Sequence, residues 1–232
     1  VTLSHFVRYT VTISAGGGFV EKFSFVKAYP MLYSPGAQPA LIDVPEMNFL
    51  QVEGSGNPKE SEGAYAKAVE LLYALSYTIK MVPKGGSAAE GYFEYAVPPL
   101  EGLWWFGDGA VDVMTADKRQ YRWISMIRQP EFVTPDVLGW AAGEVLRKKK
   151  LDTSGARFVR FHEGLCVQAM HVGPYSAEPE TIRRMHGFLA EGGLLPDLSD
   201  TRRHHEIYLG DPRRAAPEKL RTVLRLPVRR VE

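Results

Sequence analysis

The sequence has one cysteine, Cys166, among 232 residues, so no disulfide can close within the chain and folding must rest on burial and hydrogen bonding. Cys166 sits in the apolar run Leu165 to Met170, where it reads as a small core residue, because no basic microenvironment surrounds it in sequence. Apolar stretches near the roughly 20 residues of a membrane helix are missing. So is the charged, apolar, small-residue order of a secretory leader. Together these point to a cytoplasmic protein without a membrane partner. An excess of one charge is also lacking: Lys and Arg total 28 against 27 for Asp and Glu, which leaves no global field to hold nucleic acid. The basic run Arg147 to Lys150 reads as a solvated helix end.

Several catalytic signatures are absent as well. Gly54-Ser-Gly56 lacks the third glycine and the later ribose-binding acid of a dinucleotide fingerprint, and no Gly-Lys-Ser/Thr element occurs, so no nucleotide cofactor is expected. His204 and His205 are adjacent and point to opposite faces of a strand, and no cysteine pair completes a zinc set, so no metal is expected. Without a Gly-x-Ser-x-Gly elbow, a serine triad has no support.

What is present is a repeated order of elements. Residues 1–38 form an N-terminal segment, with alternating Val7, Tyr9, Val11 and Ile13, and Tyr29 to Ala40 reads as a connector. Met47 to Val52 is a strand candidate, followed by a turn at Glu53 to Pro58 and a helix from about Glu60 to Lys80 with a stripe through Tyr65, Val69, Leu72, Ser76 and Ile79. Strands are predicted at Gly91 to Val97 and Gln120 to Arg128, and Thr134-Pro135 opens a helix with Val137, Leu138, Ala141 and Val145 inward. The order then recurs. A strand from Arg157 to Val172 precedes the Gly173-Pro174 turn and a helix capped by Ser176, and strands at His204 to Leu209 and Leu220 to Val228 finish the chain. The chain is therefore α+β, with two strand-helix-strand-strand modules at about 39–153 and 154–232. Joined edge to edge, they make a curved antiparallel sheet with helices on one face and a ligand groove on the other. A monomer or a homodimer fits this arrangement.

The candidate site centres on Glu206. Alternation puts His204, Glu206 and Tyr208 on one face and His205, Ile207 and Leu209 on the other. Glu206 is either a surface acid neutralised by Arg202 or Arg203, or a pocket acid that attracts a cation or activates water, with Tyr208 beside it. All four tryptophans, Trp104, Trp105, Trp123 and Trp140, fall within forty residues and are candidate walls. Adjacent Trp104 and Trp105 face opposite ways, so one can serve the core while the other lines a cleft. Met170 and Tyr175, on either side of the Gly173-Pro174 turn, complete the candidate ligand-binding set.

Four segments carry a family resemblance: Pro39-Ala-Leu-Ile-Asp-Val-Pro-Glu-Met-Asn-Phe49, Leu75-Ser-Tyr-Thr-Ile-Lys-Met81, Tyr92-Phe-Glu-Tyr-Ala-Val-Pro-Pro-Leu-Glu-Gly-Leu-Trp-Trp105 and His205-Glu-Ile-Tyr-Leu-Gly-Asp-Pro212. In that order they resemble the GyrI-like small-molecule-binding family over about Pro39 to Val228, and more closely its stand-alone branch. The resemblance implies two modules in pseudo-twofold arrangement with a ligand groove between them, and an acid at the position of Glu206 that meets hydrophobic aromatic or cationic small molecules. Some regulators of the family carry a DNA-binding domain before this module; the strand-like segment here is too short for one. Stand-alone members that hydrolyse cyclopropanoid alkylating toxins are implied as the nearest branch. Drug sequestration without turnover, or a gyrase-protecting interaction, is the alternative.

Overall fold

The computed structural model of the protein describes residues 22–82, 89–106 and 121–231. The alternation between Val7 and Ile13 lies outside the described residues. Two one-turn helices, α1 (Phe25–Ala28) and α2 (Pro30–Tyr33), are present, the second inside the Tyr29 to Ala40 stretch that the sequence reads as a connector and the first just before it. Ser24 accepts from the Lys27 N–H to start the first, and Pro30, which needs no amide partner at a helix start, opens the second.

The core elements follow as β1 (Ala40–Ser55), α3 (Ala64–Lys80), β2 (Leu100–Phe106), β3 (Tyr121–Gln129) and α4 (Pro135–Lys149), then β4 (Ala156–Val172), α5 (Glu178–Glu191), β5 (Leu194–Pro196), β6 (His204–Tyr208) and β7 (Arg221–Arg230). All pairings among these strands are antiparallel. Within the first half β1 pairs with β3 and β3 with β2; within the second β4 pairs with β7 and β7 with β6. The halves join twice, β1 to β4 and β2 to β6, so six strands close into a ring and leave β5 outside it on β7. Closure protects edges that an open sheet would expose.

Helices α3 and α4 cover Leu50, Val52, Trp123 and Ile127 with Leu72, Leu75, Ile79, Leu138, Ala141 and Val145. Helix α5 covers Val167, Ala169, Leu224 and Leu226 with Met185 and Leu189. The predicted stripes thus face the sheet, each fully buried Leu adding about 1.5–3 kcal/mol. The other face of the sheet packs Phe49, Met126, Cys166, Met170, Ile207 and Val223 against Phe25, Leu32 and Tyr33 of the short helices. Ile42 and Val44 belong to that cluster together with Met47 and Phe49, an odd interval, so β1 changes face across Pro45. On β4 the change falls at Gly164, whose φ of 71° suits glycine. It lets Glu163 and Cys166 both point inward.

Three local expectations are corrected. Gly91 to Val97 forms only an isolated bridge, Phe23 to Tyr95, and the strand is Leu100–Phe106, because Pro98-Pro99 offers no N–H to a ladder. Ser176 lies in a single 3-10 turn, Tyr175–Ala177, and α5 starts from Ala177 without a side-chain cap. Thr134 does cap α4, accepting from the Val137 N–H at 3.3 Å. Among the described residues no helix is long and apolar enough to cross a membrane.

Candidate functional site

Glu206 sits between two registers: Gly102 of β2 on one side and Leu224 of β7 on the other. Leu224 packs with α5, and Tyr208, two residues along, packs with the α3 cluster. Alternation therefore holds, but this is the face that carries the long helices, and the site lies between Tyr65 of α3 and Glu178 of α5. The face of Ile207, whose apolar residues read as the side under the long helices, meets α1 and α2 instead. A closed sheet has both faces covered, so an apolar face does not by itself say which helices cover it.

The side chain of Glu206 is only 12% exposed. Arg202 pairs with Asp197 and donates to the carbonyls of Glu163 and Leu165, and Arg203 pairs with Asp200. No lysine or arginine among the described residues neutralises Glu206, which removes the surface-acid alternative. Instead the Tyr208 hydroxyl donates to Glu206 Oε2 at 2.8 Å, and Trp104 Nε1 donates to the Tyr208 oxygen at 2.8 Å. His204 Nε2 stands 3.3 Å from Oε1. Trp104 can fold across the strand because Gly102 has no side chain.

Aromatic rings enclose this line. Tyr175 meets Tyr208 edge-on at 5.9 Å, and Tyr65, in the first turn of α3, lies 5.3 Å from Trp104 and 5.2 Å from Trp123. Tyr121 stands edge-on to Trp104 at 5.8 Å. Burial, then the charge of Glu206, raise the Tyr208, Tyr65 and Tyr121 hydroxyls above the usual phenol range. Burial, then Glu178 and Glu206, push Tyr175 up to about 12. The cage thus stays neutral at ordinary pH, with hydroxyl donors and ring faces around one carboxylate.

A second acid shares the gap. Glu178, the first residue of α5, is 8% exposed, and its Oε1 is buried without a hydrogen-bond partner among the described residues. Burial, then the charge of Glu206, push its carboxyl up to about 9. A helix N-terminus favours the anion by about 0.3–1 kcal/mol. That is less than one pKa unit, about 1.4 kcal/mol, so burial and repulsion prevail and Glu178 holds a proton near neutrality.

Of the predicted residues, the structure gathers Glu206, Tyr208, Trp104 and Tyr175, and sets Trp123 behind them against Tyr65 and over Gly54. Three others lie elsewhere. Trp105 points to the opposite face of β2, under the Arg203 guanidinium at 4.6 Å. Met170 pairs with Val223 and joins the cluster beneath α1 and α2, on the far side of the sheet from Glu206. Trp140 is 46% exposed in a depression between α3 and α4, with Tyr77 and Met81. Trp104 and Trp123 are register partners on β2 and β3, whereas Trp105 alternates to the other face and Trp140 lies apart because α4 leaves the sheet. The residues missed were Glu178, Tyr65, Tyr121 and His204. His204 was available from alternation with Glu206, whereas Glu178 reads in sequence as an ordinary acid of a first helical turn.

The model of the GyrI-like small molecule binding domain matches residues 37–229. A hydrolase from Listeria innocua is 48% identical over 90% of this chain and 100% of its own, with a TM-score of 0.81. An uncharacterized conserved protein from the same organism is 49% identical over the same shares, with a TM-score of 0.83. The C-terminal domain of EcmrR shares the fold at 12% identity and a TM-score of 0.51, over 84% of this chain and 98% of that domain. No curated protein matches the chain. With both modules, the ring and the gap between α3 and α5 inside the matched span, the chain belongs to the GyrI-like small-molecule-binding family.

Proposed function

We propose that the protein binds flat, hydrophobic or cationic molecules between α3 and α5 and hydrolyses cyclopropanoid alkylating toxins there, with Glu206 activating the water. The observation that carries this reading is a carboxylate inside an aromatic cage, oriented by the Trp104 to Tyr208 to Glu206 hydrogen bonds and unpaired with any described lysine or arginine. Similarity to a Listeria innocua hydrolase supports turnover over storage.

The chemistry suits this donor set. In a cyclopropane conjugated to a dienone, the water oxygen bonds to a ring carbon as a ring C–C bond breaks, and that electron pair passes to the dienone oxygen as a phenolate. Glu206 accepts the water proton. Aromatisation drives the step, so the site supplies orientation, a base and dry walls. Tyr208 fixes Oε2, and Oε1, with His204 Nε2 at 3.3 Å, is the oxygen left to take the water proton.

Incubation with a cyclopropanoid toxin, followed by mass measurement, should show a product heavier by one water. Glu206→Gln should turn over roughly a hundredfold more slowly. Absence of a water adduct, or an equally fast variant, rules the mechanism out. The second reading, sequestration by charge and ring faces, is favoured by a carboxylate that no described lysine or arginine neutralises. It predicts tight binding of a lipophilic cation without product, weakened by about 1–3 kcal/mol in the same variant in calorimetry.

A further inference from the structure

We infer that Glu178 is the proton donor of the site, placed to protonate the oxygen that becomes a phenol while Glu206 removes a proton from the water. The inference rests on the hydrolytic reading and adds a second catalytic residue to it. Glu178 is buried, and its Oε1 has no hydrogen-bond partner among the described residues. A buried polar atom without a partner costs about 1–3 kcal/mol, so an atom left in that state at a ligand gap marks a place for a ligand atom. Helix α5 projects this acid from its first turn, and β6 projects Glu206 from the sheet floor. A bound molecule would therefore meet the two carboxyls from different elements.

The charged and titratable groups around Glu178 come from each packed element: Glu206 and Tyr208 from β6, Tyr121 from β3, and Tyr175 from the preceding turn. Thr222 of β7 faces it as well, while His171 of β4 is engaged by Thr181 at 3.0 Å. None of these is a cation that would strip its proton. The pair then divides acid and base roles as carboxyls in unlike environments do. The balance closes: the water gives one proton to Glu206 and its oxygen to the ring carbon, the broken C–C pair resides on the former carbonyl oxygen, and Glu178 supplies the proton found there in the phenol. Solvent exchange returns the proton from Glu206 to Glu178 between turnovers.

The test uses the intact chain and a cyclopropanoid toxin. Wild type, Glu178→Gln and Glu178→Asp are compared for kcat and KM across pH, with folding checked by circular dichroism. Glu178→Gln keeps a hydrogen-bond donor but no transferable proton, so kcat should fall roughly a hundredfold with KM little changed, and the alkaline limb of the kcat profile should vanish. Glu178→Asp should recover part of the rate and the limb. Infrared spectra should also show a protonated carboxyl at neutral pH that disappears in Glu178→Gln and titrates at lower pH in Glu206→Gln. If wild type turns over and Glu178→Gln matches it with the same alkaline limb, the role of Glu178 is overturned and hydrolysis stands. If wild type gives no product, the hydrolytic reading fails, and the donor role fails with it.

Discussion

Gly102 stands in register with Ser125 on one side and Glu206 on the other, and its missing side chain is what brings Trp104 to Tyr208. A Cβ there would lie 2.6 Å from Trp104 Nε1 and 3.2 Å from the Tyr208 hydroxyl. Gly102→Ala should therefore displace the indole, break the line that orients Glu206, and cost about 1–3 kcal/mol as overpacking does. Melting curves give the stability loss, and the same protein should lose ligand binding or turnover. An unchanged Tm with full activity would mean that Trp104 does not position the acid. Which residues share the face of Glu206 could be read from period-two alternation alone, and Tyr208 and His204 do share it. That Gly102 lies opposite, or that Glu178 arrives from α5, could not, because both depend on registers between segments far apart in the chain. Trp105, Met170 and Trp140 show the same limit: composition marks aromatic and apolar residues but not which wall they belong to.

Helices α1 and α2 are too short for any periodic signal, and their place is set by side chains from the ring. Arg225 of β7 donates to the Leu32 carbonyl at 2.9 Å, Gln168 of β4 donates to the Met31 carbonyl at 2.7 Å, and Arg128 of β3 lies over the Phe25 and Tyr29 rings. Arg225 also donates to Glu163 at 2.9 Å and to Gln168 at 3.1 and 3.2 Å, all beneath the short helices. Arg225→Met should cost about 3–5 kcal/mol, since it leaves Glu163 buried with a weaker set of partners. Adding Glu163→Leu should recover part of that loss in denaturant titrations; losses that simply add would show the two do not act as a pair. Elements of this scale were legible where a stripe and a cap agree, as in α4, or where the stripe is long enough alone, as in α3. Strand β2 was not, because Glu101 to Phe106 is buried on both faces and shows no alternation, and the dipeptide Pro98-Pro99 looked like an end when it precedes the start.

At the scale of the whole molecule, the two halves meet through a polar cluster inside the ring. His205 of β6 stands between Glu101 of β2, at 3.0 Å, and Glu163 of β4, at 3.1 Å, and Arg225 of β7 completes it. His205 thus faces two acidic side chains at once, with the Arg225 guanidinium on Glu163, so a proton on its ring is favoured. Burial opposes that proton, but Glu163 and Glu101 prevail and raise His205 to about 9 from 6.5. Burial likewise opposes the charge on Glu163, yet His205 and Arg225 hold it down at about 2 from 4.5. The module repeat was visible in the order of elements, whereas ring closure and this cluster come from the strand pairings β1–β4 and β2–β6, which alternation does not specify. The linkage follows from proton counts. Folded His205 binds a proton that the unfolded chain releases above pH 6.5, so its contribution is complete below 6.5 and is lost as pH rises through about 9. Glu178, whose folded pKa is also raised, adds a loss in the same direction that begins near pH 4.5. Glu163 contributes fully above pH 4.5, and that contribution is lost as pH falls through about 2. Unfolding free energy from urea titrations should therefore peak on the acid side of neutrality and decline steadily toward pH 9. Glu178→Gln should flatten the curve between pH 4.5 and 6.5 and roughly halve the decline between 6.5 and 9, leaving the part that belongs to His205. A Glu178→Gln curve that is level from pH 6.5 to 9 would show that His205 is uncharged in the folded protein.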